Sequence, residues 1–189
     1  LIICIFASRS ESPVPRFESE NVSGPIDVRR ILERIDALAS CSAEDGALTR
    51  VFLSPQHRAA NELVAGWMRE AGLAPRSDAI GNVIGRYEGA QPGLPCLMLG
   101  SHLDTVRNAG KFDGMLGVVA GIECVATLHR AGVRLPFAIE VIGFADEEGV
   151  RFQSTLLGSR AVAGTFDASI LTAVDADGIS MADALRAFG

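Results

Sequence analysis

The apolar positions of the chain follow two successive patterns. In the first third they recur at helical spacing. Val28, Ile31, Leu32, Ile35 and Leu38 form one stripe, which predicts a helix from about Pro25 to Ala39, with Pro25 in its first turn. Ala60, Leu63, Val64, Trp67, Met68 and Ala71 form a second stripe in a better-marked helix. Ser54 is its N-cap, Pro55 opens it and Gly72 stops it. Beyond Gly72 the apolar runs shorten. Residues 74–78 and 82–88 read as strands joined at Ile80-Gly81-Asn82, where Asn and Gly supply positive φ. The strand 96–101 is apolar on both faces, as an interior strand of a parallel or mixed sheet is. A long helix from about Gly114 to Ala131, rich in small residues, and a strand over 137–144 follow. Short helices are expected at 158–164 and, capped by Ser180, at 181–187. Two helices followed by strand–helix–strand predict an α/β fold, a three-layer α/β/α sandwich with a mixed, mostly parallel sheet.

Chemistry collects where these strands end. The loop after strand 96–101 carries His102 and Asp104, with Asp113 just before the long helix. Asp146, Glu147 and Glu148 follow the next strand. Ligand-binding groups beyond the carboxyl ends of buried strands mark the usual site of an open α/β sheet. Asp104 has the spacing to take the second N–H of a metal-bound imidazole at His102, although His-x-Asp is also common in surface loops. Asp113 is either an N-cap or a carboxylate bridging two metal ions about 3.5–4 Å apart. Glu147 and Glu148 are neighbours whose side chains diverge. One suits metal ligation and the other general-base work, against the alternative of a solvated acidic turn. Asp146 is expected to face away. His57 reads as solvated on a first helical turn, and His129 as a surface or packing residue.

Composition narrows the function classes. The chain has 189 residues, enough for one domain, with 48% apolar and 21% charged residues. Its net charge of −6, with no basic run, argues against nucleic acid or an anionic membrane as partner. Cys4, Cys41, Cys96 and Cys124 are scattered without zinc-site spacing. Cys96 and Cys124 lie in apolar runs and read as buried hydrophobes, in keeping with a reducing, cytoplasmic compartment. The apolar start, Leu1 to Ala7, is shorter than the roughly 20 residues a membrane span needs. It reads as a fragment edge or translated upstream sequence. Residues 1–24 are expected to be a flexible arm and 25–189 the folded part.

Together, Gly100-Ser-His-Leu-Asp-Thr-Val106, Phe112-Asp-Gly114, Asp146-Glu-Glu-Gly149, Arg151-Phe152 and Leu157-Gly-Ser-Arg160 resemble the di-metal aminoacylase/carboxypeptidase-like superfamily. Within it they are most similar to the branch of N-carbamoyl-L-amino-acid hydrolases, bacterial-type β-ureidopropionases and allantoate amidohydrolases. The resemblance covers roughly residues 26–189. It implies two divalent ions (Zn, Mn, Co or Ni), with His102 on one, Glu148 on the other and Asp113 bridging them. It also implies Glu147 as general base and later acid, with Asp104 orienting His102. The implied reaction is hydrolysis of a linear amide or ureido C–N bond in a small N-carbamoyl or ureido substrate. An aminopeptidase or aminoacylase of the same superfamily, or a non-catalytic truncated piece, is the alternative. Members of the branch are about twice as long, carry further histidine ligands and a lid and dimerisation domain, and are homodimers. The chain is therefore expected to be the N-terminal part of such an enzyme, inactive alone.

Overall fold

The computed structural model describes residues 3–7 and 24–189. The elements in order are β1 (Ile3–Ala7), α1 (Val28–Ser40), α2 (Pro55–Glu70), β2 (Ala74–Ser77), β3 (Val83–Tyr87), β4 (Cys96–His102), α3 (Met115–Arg130), β5 (Ala138–Phe144), α4 (Leu157–Val162) and α5 (Met181–Phe188). A short 3-10 turn, Ala168–Thr172, precedes α5. The five strands form one sheet in the order β1-β4-β5-β3-β2. Ile3–Ala7, read from the sequence as part of the arm, pairs antiparallel with β4 as an edge strand. Residues 1–2 and 8–23 of the expected arm lie outside the described residues.

The α/β class and the mixed sheet agree with the sequence reading, but the strand directions do not. Among the described strands only β4 and β5 run parallel. β1–β4, β2–β3 and β3–β5 are antiparallel. Connection length explains this. A tight turn, in which Asp78 accepts from the amides of Ile80 and Asn82, joins β2 to β3 and permits only an antiparallel hairpin. A parallel pair requires a crossover, and α3 between β4 and β5 supplies it.

Helices cover the two faces of the sheet unequally. α1, α2 and α3 pack on one face, with Ile35, Leu38, Val64, Met68, Val118, Ile122 and Val141 in the main core. On the other face Ile84, Ile142 and Phe144 pack with Met98 and with Val162 of α4. α1 begins three residues later than expected, because the Asp27 side chain caps it by accepting from Arg30 N. Val28 and Leu32 of the predicted stripe remain exposed, and Arg34 is buried instead. Arg34 and Arg30 each lie 3.7 Å from Glu123, a buried charge in α3, and Arg130 at the end of the same helix lies 2.9 Å from it. Cys124, expected inside, is exposed, because its position on α3 faces away from the packed side.

His57 is a second correction. Its ring is buried between Leu53 and α5, not solvated. Nδ1 accepts from Leu53 N at 3.2 Å, and the ring stacks on Phe188 with centroids 5.2 Å apart. An Nδ1 acceptor requires neutral imidazole. Burial first, and then Arg50, push its pKa down to about 3. Unfolding returns the group to an ordinary pKa near 6.5, so between these values the unfolded chain binds the extra proton. Stability is therefore full above about pH 6.5 and falls as the pH drops toward 3, by up to about 1.4 kcal/mol per pH unit. Urea midpoints measured from about pH 7 down to about pH 4 should show this slope. His57→Asn, which keeps an acceptor for Leu53 N–H but does not titrate, should flatten it. An equal slope in both proteins would assign the acid sensitivity elsewhere.

Candidate functional site

The parallel β4–β5 pair is what brings the chemistry together. Its register puts His102 beside Phe144, so both strands end at the same edge. Leu103 N then donates to Phe144 O at 3.0 Å, and the two following loops leave side by side. One carries Asp104 and Asp113, and the other carries Asp146, Glu147 and Glu148.

His102, Asp113 and Glu148 each offer a ligand atom, and these atoms lie within 4.8 Å of one another. His102 Nε2 is 3.8 Å from Asp113 Oδ1 and 4.0 Å from Glu147 Oε2. His102 Nδ1 lies 2.9 Å from the Asp104 carbonyl oxygen. A carbonyl only accepts, so Nδ1 carries a proton and Nε2 is the ring nitrogen that faces the carboxylates. Asp104 thus orients His102 through its main chain. Its carboxylate, 3.8 Å from Nδ1, is engaged elsewhere. Oδ1 accepts from Glu147 N at 3.0 Å and Oδ2 from Glu148 N at 3.1 Å. Burial raises the Asp104 pKa, and these two amides hold it down.

Asp113 does not cap α3. The N-cap is Gly114, which makes no side-chain capping bond, and the Asp113 side chain is 58% exposed. Gly114 has φ +71°, and a Cβ there would stand 2.6 Å from both the His102 ring and its carbonyl. Only glycine lets the chain turn this close beneath the histidine. Asp146, at φ +53°, reverses the chain beyond β5. It stands outside the His102 group but is buried, and burial first, then Asp104, push its carboxyl up to about 8. Burial likewise raises the Glu148 pKa. His102 pulls it down, while Glu147, Asp113 and Asp104 push it up.

The site residues predicted from sequence therefore converge, and the structure adds one that sequence reading left in a turn. Asn82 is fully buried. Its Nδ2 donates to Asp78 and to Gly158 O, and its Oδ1 accepts from Ala145 N at 2.8 Å. It ties the β2–β3 turn to the exit of β5 and the start of α4. An Asn in a turn is too common a signal to have marked this. Arg151, from the Arg-Phe dipeptide, donates to Phe52 O and Leu53 O and pairs with Asp175. His129 is exposed and lies edge-on to Tyr87, away from the site.

Residues 82–188 match the model of peptidase family M28. The chain belongs to that family. This M28 chain is 46% identical over 165 residues to the N-carbamoyl-L-amino acid amidohydrolase of Geobacillus stearothermophilus, covering 87% of the chain and 40% of that protein. It is 45% identical over 155 residues to the allantoate deiminase of Arabidopsis thaliana, covering 81% and 30% respectively. A solved hydantoinase/carbamoylase family amidase from Burkholderia ambifaria superposes with a TM-score of 0.81 at 37% identity, over 87% of this chain and 41% of that one. The chain spans 30–40% of the length of the curated relatives it matches.

The donor set suits a divalent cation. One imidazole faces clustered carboxylates, and among the described residues no Arg or Lys pairs with Asp113, Glu147 or Glu148. Like charges held this close need a counter-charge, and this mixture of nitrogen and carboxylate oxygen donors binds first-row divalent metals. Among the described residues, no helix is long and apolar enough to cross a membrane.

Proposed function

We propose that the protein carrying this chain is a metal-dependent hydrolase of linear C–N bonds in N-carbamoyl amino acids or ureido acids such as allantoate. One observation carries the reading. The parallel β4–β5 pair gathers His102, Asp113 and Glu148 into one donor group and leaves Glu147 beside it, 4.0 Å from His102 Nε2. The names of the amidohydrolase and deiminase relatives support the substrate class. His102, Glu148 and the exposed Asp113 carboxylate are the residues that would hold divalent ions. When bound, divalent ions supply Lewis acidity toward the carbonyl and acidify water. Glu147 takes the proton of the attacking water and delivers it to the departing nitrogen. Asp104 fixes His102 through its carbonyl and both glutamates through its carboxylate, so the base and the ligands share one support. The free Cys41, Cys96 and Cys124 agree with a reducing, cytoplasmic setting.

The test is a substrate panel on the full-length protein, stripped of metal and then supplied with Mn or Zn. It compares N-carbamoyl amino acids, allantoate and dipeptides. Turnover of a carbamoyl or ureido compound, dependent on added metal, is the expected result. Cleavage of dipeptides alone would move the protein to the peptidase side of its family. Turnover unaffected by chelation would overturn the metal reading.

A further inference from the structure

Arg50 stands behind the site, in a stretch without regular secondary structure between α1 and α2, and is completely buried. Among the described residues it forms no ion pair. Its guanidinium is spent on main-chain oxygens. Nε donates to Leu103 O at 2.7 Å, and Nη1 donates to Leu38 O and Cys41 O at 2.6 and 3.0 Å. Nη2 lies against Met115 Sδ, at the start of α3. Its own backbone carbonyl accepts from Thr105 N at 2.9 Å, and its backbone N–H donates to Thr105 Oγ1 at 2.9 Å.

These contacts meet at Asp104. Leu103 C=O belongs to the peptide unit before Asp104. Thr105 N–H belongs to the unit after it, which also contains the Asp104 carbonyl. The units are planar, so fixing one end fixes the other. The Arg50 side chain therefore sets one plane and its main chain sets the other. The second plane holds the oxygen that accepts the His102 Nδ1 proton at 2.9 Å. We propose that Arg50 is a positioning residue of the site: by gripping both peptide planes around Asp104, it fixes the His102 tautomer and aims the Asp104 carboxylate at Glu147 and Glu148. The inference rests on the metal-hydrolase reading for its consequence in turnover, but not for its geometry. Burial lowers the Arg50 pKa only to about 10, so the guanidinium stays charged at neutral pH with all its donors.

The choice of an arginine follows from the task. Three carbonyls in different directions need a planar fork with several donors, which an ammonium on a flexible stem matches poorly. Leu38 lies in the last turn of α1 and Cys41 is its C-cap; Leu38 O accepts from Cys41 N, and Arg50 adds a second donor to it and one to Cys41 O. The same side chain thus closes that helix and anchors the site loop to it.

The experiment compares the parent full-length protein with Arg50→Met and Arg50→Lys. Val64→Ala, a core change away from the site, serves as a control for lost stability. Long-range 15N–1H spectra of the metal-free proteins, above the His titration range, report the His102 tautomer. Titration with Mn or Zn reports affinity. The parent and Val64→Ala should show the Nδ1–H form and the same metal affinity. Arg50→Met releases Leu103 O and the end of α1, so the main chain of residue 50 that grips Thr105 loses its anchors; the variant should lose the pure Nδ1–H signature and bind metal about tenfold or more weakly, the range seen when support of a ligand is removed. It should lower kcat more than it raises KM, and Arg50→Lys should fall between it and the parent. If Arg50→Met does not fold, Arg50→Lys carries the same readouts against the control. An unchanged tautomer and unchanged affinity in a folded Arg50 variant would overturn the proposal. A parent protein that neither binds metal nor turns over C–N substrates would instead overturn the functional reading, and the tautomer comparison would still decide the role of Arg50.

Discussion

Glu147→Gln in the full-length protein is expected to lower turnover by about three orders of magnitude while leaving bound metal unchanged. The amide keeps the shape and the main-chain bonds of Glu147. Its backbone N–H still donates to Asp104 and its carbonyl still accepts from Leu156 N. Only the ability to take and return a proton is lost. Glu148→Ala should behave differently, losing metal and activity together, because Glu148 belongs to the close donor group with His102 and Asp113. Metal content after desalting and kcat at saturating substrate separate the two outcomes. If Glu147→Gln loses metal and Glu148→Ala retains it, the two glutamates have exchanged roles.

The elements of the fold were legible because each carries its own local signal. The Ser54–Pro55 start of α2 and the Gly-bounded α3 are set by capping and turn chemistry, and the structure places them within a residue of expectation. Strand direction was not legible. It depends on which strands become neighbours, and β3 lies beside β5 and not beside β4. Burial of charge was equally hidden. Glu123 and Arg50 look like solvent-facing residues in the sequence, and only the convergence of three arginines on the one, and three carbonyls on the other, accounts for them. His57 failed for a related reason. An imidazole on a first helical turn is normally wet, but α5, distant in sequence, folds over it. In the site, residue types and spacing pointed to His102, Asp113, Glu147 and Glu148, and the structure brings these four together. What sequence could not reveal is which atom of Asp104 does which job, since main-chain carbonyls leave no trace in residue identity.

That division of labour in Asp104 yields the second large effect. Asp104→Asn replaces an acceptor-only carboxylate with a group that has one acceptor and one NH2. Two amide donors, Glu147 N–H and Glu148 N–H, point at it, so one of them must face another donor in a buried space. An unsatisfied buried N–H costs about 1–3 kcal/mol, and a lost charge-assisted bond adds to this, so unfolding by urea should show a loss of about 2–4 kcal/mol. The turn carrying Glu147 and Glu148 shifts with it, and on the proposed mechanism turnover should fall by about two orders of magnitude or more. The effect on His102 is the decisive part. Its Nδ1–H bonds the Asp104 carbonyl, which the substitution leaves in place. The ring should therefore keep its Nδ1–H tautomer in 15N spectra while the amide resonances of Glu147 and Glu148 move. The opposite pattern, an altered imidazole and undisturbed glutamate amides, would mean that the carboxylate orients the histidine directly, as the His-x-Asp spacing alone suggests. The protein would then hold its two glutamates by some other means.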